Sequence, residues 1–127
     1  MSDIRLIERL PCTQDAPGAA RVAAADVLAR LHARGCMDGR GDDLALIVSE
    51  LVTNAVIHGP PGDVELRMIA TPSVIRVEVE DSGTIPFDWP AAGSDGHWGL
   101  ALVATFSERA GLIRGPPTVV WCELDLI

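Results

Sequence analysis

Two polar side chains stand four residues apart in a long, largely apolar stretch of the chain. Glu50 and Asn54 interrupt a segment, residues 44–57, in which Leu, Ile, Val and Ala fill most other positions. Residues four apart on an α-helix project from one face, so a helix here presents a carboxylate beside an amide. The carboxylate could orient water or accept a proton. The amide oxygen could ligate Mg²⁺, which prefers oxygen donors.

Asn54 is the only asparagine in the chain, and asparagine favours helix caps over helix interiors. Its position beside a glutamate in mid-helix therefore indicates the wall of a polar cavity. The alternative is a solvated polar strip on a half-buried helix. The helix alone gives the two interpretations about equal weight.

A second candidate site follows a predicted strand. The alternating Val77-Glu78-Val79-Glu80 leads directly into Asp81, and Gly83 comes two residues later. A carboxylate at a strand end can accept a hydrogen bond from an exocyclic amine such as that of adenine, and glycine lets a flat base approach the backbone. The alternative is an ordinary turn, because Asp-Ser-Gly is common in turns. Taken alone, this motif favours the turn.

A third feature is the glycine-rich entry to a short apolar helix. Gly96 and Gly99 precede the segment that begins at Leu100, and the free N–H groups of a helix N-terminus can bind an anion. In the alternative interpretation this is only a flexible helix entry. His97 and Trp98 would then be packing residues; in the first interpretation they could close over a ligand.

Hydrophobic periodicity predicts the elements that position these features. An opening strand is predicted around Ile4 to Leu10, and a Gly-Pro-Pro-Gly breaker follows the second helix. The predicted helices are 16–34, 42–57 and 100–108; the later strands are 64–70, 74–80, 112–113 and 119–126, with a loop over 81–96. This β-α-α-β-β-α-β-β order predicts a single domain, residues 1–127, with an α/β two-layer sandwich fold. About three helices cover one face of a mixed, mainly antiparallel sheet.

The charged residues exclude several kinds of chemistry. All ten basic residues are arginine, since the chain has no lysine, and the net charge is −8. A Walker A loop, a eukaryotic-type kinase and Schiff-base chemistry each require a lysine and are excluded. The acidic balance disfavours nonspecific binding of nucleic acid or anionic membranes.

Cysteine usage and the absence of an apolar leader predict a cytoplasmic protein. Cys12, Cys36 and Cys122 are widely separated, so neither a metal motif nor a disulfide framework is indicated. No apolar segment is long enough to span a bilayer. The alanine- and arginine-rich composition suggests a GC-rich bacterial genome.

Taken together in this order, the three features resemble the N, G1 and G2 boxes of the Bergerat-fold (GHKL, histidine kinase-like) ATPases. The boxes are carried by Glu50-Leu51-Val52-Thr53-Asn54-Ala55, Asp81-Ser82-Gly83 and residues 96–103. The ending Val119-Val120-Trp121-Cys122-Glu123-Leu124 is similar to the last strand of the stand-alone bacterial branch, which contains the anti-sigma factor serine/threonine kinases. The resemblance covers nearly the whole chain.

The resemblance implies a role for individual residues. Glu50 is the implied general base and Asn54 the implied Mg²⁺ ligand of an ATP site. Asp81 is implied to bind the adenine amine, and Gly83 to line the base. Cofactor-binding roles in the phosphate region fall on Gly96, Gly99 and Leu100, around a short lid over 86–95. Thr118, before the last strand, resembles a threonine near the adenine.

The resemblance also implies partners and an activity. Kinases of this branch phosphorylate a serine or threonine of a STAS-domain anti-anti-sigma partner with Mg·ATP, bind sigma factors, and commonly form homodimers. The alternative function is a non-catalytic module that sequesters a sigma factor or anti-anti-sigma protein. Its motivation is that Ile85 replaces a second G1 glycine, Gly96 and Gly99 are unusually spaced, and Pro117-Thr118 replaces a Gly-Lys pair. A third interpretation is an unrelated α/β domain with coincidental motifs.

Overall fold

In the part of the chain that the structure describes, three helices and five strands follow one another in the predicted β-α-α-β-β-α-β-β order. The computed structural model of the chain describes residues 3–35, 40–58, 62–82 and 98–126. The elements are β1 (Ile4–Leu10), α1 (Ala16–Ala33), α2 (Gly41–His58), β2 (Val64–Ala70), β3 (Val74–Asp81), α3 (Trp98–Phe106), β4 (Arg109–Ile113) and β5 (Thr118–Asp125).

The five strands form one sheet in the order β1-β2-β3-β5-β4. Each of the four strand pairings between described residues is antiparallel. The expectation of a mainly antiparallel two-layer sandwich is therefore confirmed.

Strand alternation assigns one face of the sheet to the helices. Burial alternates strictly along β2 and β3, because successive side chains of a strand point to opposite faces. The inward-facing Leu66, Met68, Ile75 and Val77 are fully buried. They pack with helix residues such as Val27, Leu44 and Ile47 in one hydrophobic cluster. Aliphatic side chains fill this core, as the low aromatic content predicts.

The outer face of the sheet carries a lattice of ion pairs. Arg67 Nε lies 2.7 Å from Glu78 Oε1, and Arg76 Nε lies 2.7 Å from Glu78 Oε2. Burial disfavours ionisation of Glu78, but the hydrogen bonds from Arg76 and Arg67 outweigh it and lower the pKa of this carboxyl. The Arg76 guanidinium also lies 4.3 Å from the ring centroid of Trp121.

The predicted ends of the elements differ from the structure by at most two residues, except at the start of β4, which differs by three. The third helix, predicted over 100–108, runs from Trp98 to Phe106, and β4, predicted over 112–113, already begins at Arg109. The Ser107 hydroxyl donates to Val103 O at 2.6 Å, which satisfies a carbonyl at the helix end. Glu108 N donates to Glu123 O at 3.0 Å, so pairing with β5 takes the backbone out of the helix.

The first helix ends where glycine predicts it. Gly35 has a φ of +67°, and its N–H donates to His32 O at 3.0 Å. This left-handed conformation is accessible to glycine and closes the last turn of a helix.

Candidate functional site

Asn54 is tied to its own helix through its amide nitrogen. Glu50 and Asn54 are both half-buried on α2. Asn54 Nδ2 donates to Glu50 O at 2.9 Å, a contact across one helical turn. Because the amide nitrogen is used in this way, the carbonyl oxygen Oδ1 is the atom that can accept a hydrogen bond or ligate a cation.

Glu50 differs from the other half-buried glutamates in its surroundings. Glu65, Glu78 and Glu80 all form ion pairs with Arg67. The Glu50 carboxylate has no hydrogen bond or ion pair with any residue that the structure describes. A carboxylate without an arginine partner on a polar stripe can bind water or accept a proton.

The structure brings together two predicted residues from distant parts of the chain. Asp81 is the last residue of β3 and lies directly opposite Thr118, the first residue of β5. The neighbouring pair, Val79 and Val120, faces the helices. Asp81 and Thr118 are each two residues along their strands from this pair, so they lie on the same, helix-facing side of the sheet. Thr118 is 1% exposed and is the one buried polar residue in the described ranges.

Contacts at the two ends of α2 fix its direction relative to the sheet. Cys12, just after β1, has its Sγ 3.8 Å from Val56 O. At the opposite end, Arg40 Nη1 donates to Asp125 O, the last residue of β5, at 3.2 Å. The last residue of β1 and the first residue of β5 lie at the same end of the sheet, measured along the strand direction. The half of α2 that carries Asn54 therefore lies at the end where Asp81 and Thr118 meet.

The direction of α3 follows from the same contacts. Arg40 Nη2 donates to Phe106 O at 3.0 Å, so the last turn of α3 lies beside the beginning of α2. The nine-residue α3 is about 13 Å long and packs along α2. Its first turn, which contains Gly99 and Leu100, therefore extends towards the middle of α2, where Glu50 is located. Free N–H groups at a helix N-terminus attract anions.

Other parts of the predicted site lie outside the described residues. These are Gly83, Gly96, His97 and the lid over 86–95, whose roles stay predictions. For Gly99 and Leu100 the structure describes the helical backbone alone.

The donor set suits a cation that arrives with an anionic ligand. No group of three or more His, Cys, Asp or Glu side chains in the described ranges could hold a metal ion alone. Mg²⁺ is commonly held by one or two protein oxygens together with substrate phosphates and water. Asn54 Oδ1 and the adjacent Glu50 fit that arrangement, and Asp81 and Thr118 lie at the same end of the domain.

Arg40 is a residue that the sequence analysis did not include. Its guanidinium contacts Glu108, which is 68 positions away, and only the Arg40–Asp43 pair at i,i+3 has local spacing. A local pattern search could detect that helix-start pair. It could not detect the contacts with α3 and β5.

The structure is a two-layer domain whose candidate site lies between α2, α3 and one end of the sheet. Residues 11–121 match the family model described as the histidine kinase-like ATPase domain. The chain therefore belongs to this family, which confirms the family-level resemblance and implies ATP as the ligand.

A solved structure similar to this chain is that of the RsbU and RsbW domains of Rv1364c from Mycobacterium tuberculosis. The TM-score is 0.72 at 24% identity, covering 95% of this chain and 31% of the other. At this identity the likeness establishes a shared fold, and the chain spans about a third of that structure's length. No curated protein sequence matches the chain.

None of the described helices combines the length and the apolar character that a membrane span requires. The cytoplasmic location stays a prediction.

Proposed function

We propose that this domain is an ATP-binding regulator of the anti-sigma factor type. Its activity is transfer of the γ-phosphoryl group of Mg·ATP to a serine or threonine of a STAS-domain anti-anti-sigma protein. The observation that carries the proposal is the half-buried Glu50, which has no described ion-pair partner and stands beside Asn54. The family membership of residues 11–121 supports ATP as the ligand.

In this proposal ATP supplies the phosphoryl group, and the chain's residues position it and handle the proton. The Glu50 carboxylate accepts the proton of the partner's hydroxyl as that oxygen bonds to the γ-phosphorus and ADP leaves. Asn54 Oδ1 holds the cation. Asp81 and Thr118 bind the adenine end.

The direction of α3 supports placing the adenine at the end of the sheet and the phosphates at the beginning of α3. Its first turn is directed towards the middle of α2, and Asp81 and Thr118 lie at the end of the sheet. A nucleotide with its base at the sheet end can direct its phosphates at the α3 N-terminus. Since the chain has no lysine, helix N–H groups, a cation or an arginine are the available partners of these phosphates.

The test is transfer of label from γ-³²P-ATP to purified STAS-domain proteins in the presence of Mg²⁺. We expect Glu50→Gln to reduce the rate about 10²- to 10⁴-fold, the usual contribution of a general base, while ATP binding persists. A matched control is Glu8→Gln, because Glu8 is exposed on β1. Equal rates in wild type and Glu50→Gln would refute the proposed role of Glu50.

A second candidate function is partner sequestration without phosphotransfer. The observations that favour it are Ile85 in place of a second G1 glycine and the wider spacing of Gly96 and Gly99. A stable complex with a sigma factor or a STAS-domain protein, formed without label transfer, would support this function instead.

A further inference from the structure

One arginine joins the two helices that border the candidate site. Arg40 directly precedes α2, and its carbonyl accepts the first-turn hydrogen bond of Leu44 N at 3.0 Å. Its Nε donates to Asp43 in the first turn of α2 at 3.1 Å. Its Nη2 donates to Phe106 O, the last residue of α3, at 3.0 Å.

The same guanidinium forms hydrogen bonds with the segment between α3 and β4. Its Nη1 lies 2.5 Å from Glu108 Oε1, and its Nη2 lies 3.4 Å from Glu108 Oε2. Glu108 Oε1 also accepts Asp125 N at 3.1 Å, and Arg40 Nη1 donates to Asp125 O. Arg40 thus contacts the beginning of α2, the end of α3 and the end of β5 at once.

Several hydrogen bonds hold this cluster together, although its contacts are partly exposed to solvent. The side chains of Arg40 and Glu108 are 26% and 29% exposed. The hydrogen bond from Arg40 lowers the pKa of Glu108 and so favours its ionised form. A planar guanidinium that binds both carboxylate oxygens fixes direction as well as distance.

The position of the cluster determines what it can control. Asn54 is fourteen residues along α2 from Arg40, which is about 21 Å, so Arg40 does not contact Asn54. Helices move as rigid units, and α3 has only nine residues. A displacement of its last turn along α2 therefore displaces its first turn by a similar amount.

We propose that Arg40 is a positioning residue for the phosphate side of the nucleotide site, because it sets where the first turn of α3 lies beside α2. This inference rests on the proposed binding of ATP. At the adenine end Arg40 has no positioning role, because the β3–β5 pairing holds Asp81 and Thr118 there. Loss of the cluster should therefore weaken contacts with phosphates more than contacts with adenosine.

The experiment compares binding of Mg·ATP and adenosine to the full chain by calorimetry at 15 °C, with thermal unfolding measured in parallel. The variants are Arg40→Met and Arg40→Lys; the latter keeps the charge but not the planar donors. Arg30→Met is the matched control, because Arg30 forms one exposed i,i+4 ion pair with Asp26. We expect Arg40→Met to weaken Mg·ATP binding about tenfold or more, since small misplacements of positioning groups are costly, with adenosine affinity changed less than twofold.

Arg40→Lys should fall between wild type and Arg40→Met, and Arg30→Met should match wild type. The inference is overturned if Arg40→Met unfolds at lower temperature yet binds Mg·ATP like wild type at 15 °C. It is also overturned if ATP and adenosine weaken equally. If Arg40→Met does not fold, the affinities of Arg40→Lys for Mg·ATP and for adenosine are compared instead. Wild-type binding of Mg·ATP, or equal weakening of both ligands, overturns the inference. Absence of Mg·ATP binding to wild type would instead refute the proposed function, and this inference with it.

Discussion

At the scale of single residues, Asn54 carries the cation in the proposed site. Its amide nitrogen bonds Glu50 O at 2.9 Å, so its oxygen is the group whose loss matters. We expect Asn54→Ala to reduce ATP affinity in Mg²⁺ to the level seen in EDTA, while the helix stays folded. Thr53→Ala, also half-buried on α2, is the control and should bind like wild type. Calorimetric titration of ATP with and without Mg²⁺ measures the affinity of both variants. If ATP binding to Asn54→Ala depends on Mg²⁺ as in wild type, Asn54 does not ligate the cation.

A second prediction concerns Gly111 on β4, where the ring of Trp121 leaves no room for a side chain. A Cβ at Gly111 would lie 2.7 Å from ring atoms of Trp121, closer than van der Waals contact permits. We expect Gly111→Ala to lower the free energy of unfolding by about 1–3 kcal/mol, the usual cost of overpacking.

The control for this prediction is Gly18→Ala in α1, where the nearest atom to an added Cβ is 3.7 Å away. Alanine is the better helix former by about 0.5–1 kcal/mol, so this substitution should stabilise the chain. Urea denaturation gives both values. A Gly111→Ala variant as stable as wild type would show that the Trp121 ring can move aside.

At the scale of elements, periodicity in the sequence was sufficient to predict the order and type of the helices and strands in the described ranges. Alternation along 64–70 and 74–80 has the clean two-residue period of a half-exposed sheet, and the structure confirms both strands. The end of α3 was less predictable, because residues 107 and 108 retain a helix-like composition. Their path depends on Glu123 O, a partner fifteen positions away in β5.

The candidate site was predictable in its residues and not in its geometry. The Glu50–Asn54 pair follows from helical spacing alone. The opposition of Asp81 and Thr118 depends on the register of β3 with β5. No local pattern encodes a register between strands separated by a helix and another strand.

The ion pairs on the outer face of the sheet predict a pH dependence. Hydrogen bonding from Arg109, and further bonds from Arg76, lower the pKa of Glu123, and arginine bonds likewise lower that of Glu78. Because the folded-state pKa lies below the ordinary value of 4.5, this stabilisation is complete above pH 4.5 and is lost as pH falls below it.

We therefore expect the free energy of unfolding in urea to fall as pH decreases below about 4.5. Glu78→Gln should reduce stability at pH 7 and flatten this decline, because one shifted carboxyl is removed. Glu8→Gln, on an exposed position of β1, should leave the decline unchanged. A decline as steep in Glu78→Gln as in wild type would contradict the role of Glu78.

At the scale of the whole molecule, charge is distributed unevenly over the two layers. The outward-facing positions of the five strands, set by the strand registers, hold equal numbers of arginines and acids. They are Arg5, Arg9, Arg67, Arg76 and Arg109, and Glu65, Glu78, Glu80, Glu123 and Asp125. The net charge of −8 therefore lies on the rest of the molecule, which includes the candidate site.

An acidic, lysine-free surrounding makes the binding of free ATP unfavourable. We expect removal of Mg²⁺ by EDTA to weaken ATP binding about tenfold or more, while adenosine binding stays within twofold. The comparison by calorimetry at fixed ionic strength separates cation ligation from general screening. Equal ATP affinity with and without Mg²⁺ would contradict a cation-dependent site.

The central claim is that the end of the sheet at Asp81 and Thr118 binds the adenine of Mg·ATP. Titration of Mg·ATP into the wild-type chain and into Asp81→Asn tests it most directly. We predict saturable binding to wild type and about tenfold or weaker binding to Asp81→Asn, because a charged hydrogen-bond acceptor is lost. Absence of wild-type binding at millimolar Mg·ATP, or identical affinity in Asp81→Asn, would contradict the account.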